Sequence, residues 1–164
     1  MKNDSQTLDL ELFIQNQEKA ISILDSCSMS IDSAKNTLLR IASSIDEYDL
    51  PETSIKAIAF SAMRLIDSVV QDMDVVKELT AVDLSKQQLV VKGISVLVSE
   101  TIRFNHIKVI QASCFYAAHQ VAELFCNDLN ELMDEIIDSK NMIISAHNSS
   151  NLGDQPGPKK RLVA

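Results

Sequence analysis

Leu10, Gln17, Leu24, Ile31, Leu38 and Ile45 recur every seven residues along the first third of the chain. Phe13, Ala20, Cys27, Ala34, Ile41 and Tyr48 follow three positions behind them. Alternating steps of three and four keep one helical face apolar, so the pattern predicts a helix with an a/d seam over about six repeats. Ile14, Ile21 and Ala42 widen the stripe towards the face a bundle core requires. Thr7 offers an N-cap hydroxyl, and Asp9 and Glu11 suit the positive end of the helix dipole. Pro51 biases Leu50 out of the helical region, so the helix is expected to stop near Tyr48. Its rise of about 1.5 Å per residue makes it a rod of roughly 60 Å. Gln17 is the polar member of the seam. It either fixes register and oligomeric state or reaches out of a partly exposed stretch.

Pro51 suits the first turn of a following helix. Ile55, Ala62, Val69 and Val76 again repeat by seven. Ile58, Leu65 and Leu79 are the expected companions, with Asp72 as an interruption. The register runs on through Val90 and Leu97, but Asp83 and Lys86 weaken its middle. Ser85 with Gln88 resembles a capping box, and Gly93 is a second weak point. Two arrangements follow: one bent helix over 51–99, or two helices meeting near Ala81–Ser85.

Residues 89–126 are the most apolar part of the chain. Val90, Ile94, Leu97, Phe104, Phe115 and Phe125 point in several directions, which predicts a helix buried nearly all round. The β-branched run over 89–98 is compatible with a strand, but a lone strand has no partner here, and helix is the expectation. From Glu123 to Asp138 carboxylates accumulate, with no Lys or Arg between Lys108 and Lys140. Leu129, Leu132, Met133, Ile136 and Ile143 maintain an apolar stripe beside them. This helix is expected to end near Ala146. Residues 148–164, ending in Lys159-Lys160-Arg161 and Leu-Val-Ala, read as a disordered tail. The expected organisation is a helical-bundle domain over 1–147 and a tail over 148–164. The expected fold is all-α: an elongated antiparallel bundle of three or four long helices with coiled-coil-like packing.

Composition narrows the choice. Three glycines and three prolines in 164 residues cannot supply the turns of a sandwich or barrel. A net charge of −8 argues against nucleic acid and against anionic lipid surfaces. Three cysteines without a C-x-x-C, and no apolar leader, point to reduced thiols in the cytoplasm. No run of about 18 apolar residues suggests a membrane span.

Candidate chemistry is sparse. A di-iron bundle needs Glu-x-x-His, and the residues three before His106, His119 and His147 are Arg103, Tyr116 and Ile144. His119, Glu123 and Cys126 share a helical face and are possible zinc ligands, but no fourth group is marked. The competing reading is a buried histidine bonded to a neighbouring carboxylate, with Cys114 and Cys126 as small core residues. Gly93-Ile94-Ser95-Val96-Leu97 lacks the second glycine of a nucleophile elbow, and no glycine loop could cradle phosphate. Neither catalysis nor a cofactor or metal is expected.

The function expected is that of an interaction or structural protein that self-associates. Leu10, Phe13, Gln17, Leu24, Ile31 and Leu38 would carry the first seam, and Val90, Ile94, Leu97, Phe104, Phe115 and Phe125 the apolar surplus. The alternative is a small acidic binding module, like a secretion chaperone, immunity protein or adaptor, that buries a partner helix against 89–126. A membrane-active helical protein is a third class, opposed by Lys92, Arg103, Lys108 and Glu123.

Overall fold

A computed structural model describes the backbone of residues 2–47, 50–103 and 107–152, and the side chains of 8–45, 50–103 and 107–149. The described residues form four helices: α1 (Lys2–Glu47), α2 (Glu52–Thr80), α3 (Ser85–Arg103) and α4 (Lys108–Leu152). Each packs on its neighbours in sequence, and α1 also packs on α4, so the four close into a ring without diagonal contacts among the described residues. The expected all-α bundle is therefore a four-helix one. Neighbouring helices run antiparallel: Glu18 meets Lys140 and Lys35 meets His119 across α1–α4. Asp67 meets Ser95 and Asp74 meets Gln88 across α2–α3.

The α1 seam forms as its spacing predicts. From Gln17 through Ala20, Leu24, Cys27, Ile31, Ala34, Leu38 and Ile41 to Ile45, every a/d position is buried. Tyr48 lies outside the described residues. The helix already includes Lys2, so Thr7 sits within it rather than capping it. No glycine or proline interrupts these first turns.

In α2 the seven-residue repeat is correct but its companion line is not. Ala59, Ile66 and Met73 are buried, four residues behind Ile55, Ala62 and Val69. Ile58 is exposed, and Leu65 and Leu79 are only half-buried. The physical reason is Asp72. The line three residues behind would bury its carboxylate, whereas the line four behind presents Met73 instead.

The 51–99 region is two helices, not one bent one. Ala81 takes the left-handed conformation (φ 57°) and its N–H closes the last turn onto the Lys77 carbonyl at 2.9 Å. Leu84 is fully buried beneath the turn. The start of α3 is secured by Asp83, whose Oδ1 accepts from the Ser85 N–H at 3.0 Å and the Ser85 hydroxyl at 2.6 Å. Gln88 does not complete a capping box with Ser85; its side-chain amide donates to Asp74 on α2 at 2.6 Å.

Residues 89–126 are not one helix buried on all sides. They divide into most of α3 and the first half of α4, joined at the corner between Arg103 and Lys108. Ile94, Val98, Phe115 and Phe125 enter the core, while Leu89, Val96 and Leu124 stay outside it. Phe104 lies outside the described residues. Helix α4 continues to Leu152, past the expected end near Ala146, so 148–152 is helical rather than tail. Nothing breaks the helix before Gly153, and the Ser145 and Ser149 hydroxyls bond back to the carbonyls of Asn141 and Ser145.

Candidate interaction surfaces

The helices differ in length, which determines what is left uncovered. Helix α1 has 46 residues and α4 has 45, against 29 and 19 for α2 and α3. The α2–α3 connection sits beside Phe13 and Gln17 on α1 and Leu132–Ser139 on α4, with Thr80 and Val82 lining the same cleft. Beyond that level, among the described residues, α1 and α4 have only each other. The overhang spans about a dozen residues on each helix, or roughly 18 Å.

Burial changes at that level. Among the described residues Gln17 and Ile136 are the last buried ones, and Leu10, Phe13, Lys140 and Ile144 are half-buried. A seam with one neighbouring helix instead of two cannot be fully covered. Hydrogen bonds and contacts place Ser28 and Lys35 on the α4 side of α1, which puts Leu12 on the side that α2 covers elsewhere. Met142 lies on the corresponding α3 side of α4. Leu12 is 57% exposed and Met142 72%.

A second apolar surface follows the α3–α4 junction. Gln88 and Ser95 mark the α2 side of α3, and His119 and Cys126 mark the α1 side of α4. The opposite flanks face each other, with Val90, Leu97 and Cys114 half-buried along the junction. Outside it stand Leu89 (72% exposed), Val96 (61%) and Leu124 (66%). Gly93 lies between Leu89 and Val96, and a Cβ there would meet nothing within 4 Å.

The sequence-predicted interaction residues divide between core and edge. Leu24, Ile31, Leu38, Ile94, Phe115 and Phe125 are buried inside the single chain, where α1–α4 cover one another. Gln17 is buried with them at the end of the four-helix section. Leu10 and Phe13 fall on the overhang, and Val90 and Leu97 on the α3–α4 junction. Leu89, Val96 and Leu124 fall inside the 89–126 stretch that the sequence offered as a docking surface, though it did not single them out, and Leu12 and Met142 are the residues that sequence reasoning missed. Their only mark in the sequence is an apolar side chain placed off the seam.

The polar face between α1 and α4 holds the candidate ligand set. Its members separate. His119 Nδ1 lies 3.2 Å from the Lys35 carbonyl, and its ring stacks at a tilt on Tyr116. The histidine's contact is thus a main-chain carbonyl rather than a carboxylate. The Cys126 thiol points at the Ser28 carbonyl, 4.0 Å away. Burial pushes its pKa up, which disfavours the thiolate. Asp32 is held below the usual carboxylate range by its hydrogen bond and charge contact with Lys35, 2.7 Å away. Among the described residues no three of His, Cys, Asp and Glu converge as metal ligands would.

Among the described residues no helix is long and apolar enough to cross a membrane. Comparison with protein-family models, curated proteins and solved structures finds no match to this chain.

Proposed function

We propose that this chain is a non-enzymatic helical interaction protein that self-associates through its two long helices. The observation that carries the reading is the α1–α4 overhang. Below it, α2 and α3 cover the inner faces of α1 and α4. Above it, Leu10, Leu12 and Phe13 on α1 and Met142 and Ile143 on α4 lack that cover. A second copy, related by a twofold axis, would supply two more helices and extend the four-helix section. Such an isologous contact needs one patch that is complementary to itself. Three free cysteines suit a cytoplasmic setting for such a protein.

Sedimentation equilibrium tests the reading. Wild-type chain is expected to dimerise at tens of micromolar, and Leu12→Asp with Ile143→Asp to be monomeric with unchanged helicity. Wild-type protein that is monomeric throughout that range overturns it. A second reading, that α3–α4 receives the helix of another protein, is favoured by the exposure of Leu89, Val96 and Leu124.

A further inference from the structure

One line along α4 changes character half-way. Ile110, Val121 and Leu124 belong to it, one residue ahead of the buried positions Gln111, Ala122 and Phe125. Continued in the same steps of four and three, it passes through Asp128, Glu131, Glu135 and Asp138. The first half is apolar and the second half is entirely carboxylate. None of the four acids has an ion pair among the described residues. Helix α3, packed on this half of α4, carries Leu89, Gly93 and Val96 exposed. The acidic half lies at the level of the α2–α3 connection, where Thr80 and Val82 share a cleft with Leu132, Glu135 and Ser139.

The geometry points to one occupant: an amphipathic helix of another protein, apolar over Ile110–Leu124 and rich in lysine or arginine over Asp128–Asp138. This rests on the second reading above, that the α3–α4 face is a docking surface, and adds the partner's chemistry. Gly93 on α3 and Ala117 on α4 carry little or no side chain and so form a low floor among the exposed Leu89, Val96 and Leu124. A seated helix uses such a floor to bring its own apolar side chains between those residues. Charge complementarity selects the partner. A second copy would bring the same carboxylates to the same line, in a chain whose net charge is already −8. From Ile110 to Asp138 the line is about 40 Å long, so a partner helix of about 28 residues matches it.

The test uses the full chain and two synthetic helical peptides of identical composition. In one, leucines fill one half and lysines the other; in the second, lysines are spread evenly along the polar face. Fluorescence anisotropy is expected to show the block peptide binding about tenfold more tightly at low salt, with the advantage shrinking as salt rises. Leu124→Asp is expected to weaken both peptides. The combined Asp128→Asn, Glu131→Gln, Glu135→Gln and Asp138→Asn variant is expected to remove the block peptide's advantage alone. Equal affinity for both peptides, or an advantage that survives the neutralised variant, overturns the proposal. So does tight block-peptide binding that appears only when Lys159, Lys160 and Arg161 are changed to Gln, since the chain's own end would then be the occupant. Binding of neither peptide sinks this inference and leaves the self-association reading to the sedimentation result.

Discussion

The side-chain amide of Gln111 on α4 donates a hydrogen bond to the main-chain carbonyl of Thr101 on α3, 3.3 Å away, and both residues are buried. Thr101 is in the last turn of α3, whose carbonyls have no partner farther along the helix. The glutamine therefore does two things at once. It occupies a core position of α4 and it closes the end of α3. Gln111→Leu keeps most of the volume but removes the donor. It is expected to lower stability by about 1–3 kcal/mol, the cost of a buried acceptor left without its partner. Urea unfolding should show a lower midpoint at unchanged slope. A midpoint equal to wild type would mean the bond contributes nothing.

Asp83 links the start of α3 to pH. Its carboxylate is held below the ordinary value of 3.8, first by the Ser85 hydroxyl and then by the Ser85 N–H. The folded value is the lower one, so the stabilisation is present above the ordinary value and is lost as pH falls through the folded value. Asp83→Asn retains an acceptor that cannot be protonated. Its melting temperature is expected to fall less than that of wild type between neutral pH and pH ~3. Asp83→Ala should be less stable than wild type at neutral pH. Parallel acid limbs for wild type and Asp83→Asn would remove Asp83 from the account.

Ala81 ends α2 with a positive φ, the only non-glycine residue among those described to do so. A Cβ in the left-handed region is crowded against its own backbone, a cost of roughly 1–2 kcal/mol that glycine avoids. Glycine also gives the unfolded chain more freedom, which offsets part of the gain. Ala81→Gly is expected to stabilise by about 0.5–1 kcal/mol, and Ala81→Val to destabilise. Thermal melts of the pair give the sign directly.

How much of this was legible in the sequence follows from where neighbours begin and end. The α1 seam could be read because one helix with two long neighbours keeps a single apolar register from Gln17 to Ile45. The α2 seam was half legible. Its sevenfold repeat was plain, but Ile58 and Leu65 compete with the smaller Ala59 as companions, and Asp72 was the residue that should have decided. The α3–α4 corner was not legible. Residues 103–108 contain neither glycine nor proline, so nothing punctuates the apolar stretch there. The exposed surfaces were the least accessible. Leu12 and Met142 look like ordinary core residues until the ends of α2 and α3 are known, and Leu124 looks buried until α3 is placed beside it.

Cys27 sits in the α1 seam, and burial, followed by the charge of Asp72, raises its thiol from an ordinary 9.0 to about 12. The folded value is the higher one, so its contribution is complete below the ordinary value and is lost as pH rises through that window. Cys27→Ala is expected to be less stable near neutral pH because it leaves a gap. Its stability should nevertheless fall less steeply above pH ~9 than that of wild type. In the wild-type chain a thiol reagent at pH ~8 should modify Cys114 and Cys126 before Cys27, which should react only on unfolding. Equal reaction rates for the three would place Cys27 outside the core.

Gly93 separates stability from binding. It lies in the interior of α3, where glycine costs about 1 kcal/mol relative to alanine, and a Cβ would meet nothing within the chain. The fold itself therefore gives no reason for the residue. Gly93→Ala is expected to raise stability by about that 1 kcal/mol. On the docking surface the same methyl group raises the floor between Leu89 and Val96, where a seated helix would have to rest. The variant should thus be more stable yet bind the block peptide several-fold more weakly, with little change for Gly93→Ser beyond the same direction. A Gly93→Ala chain that gains stability and binds as wild type would show that nothing approaches α3 closely there. The partner helix would then lie on α4 alone.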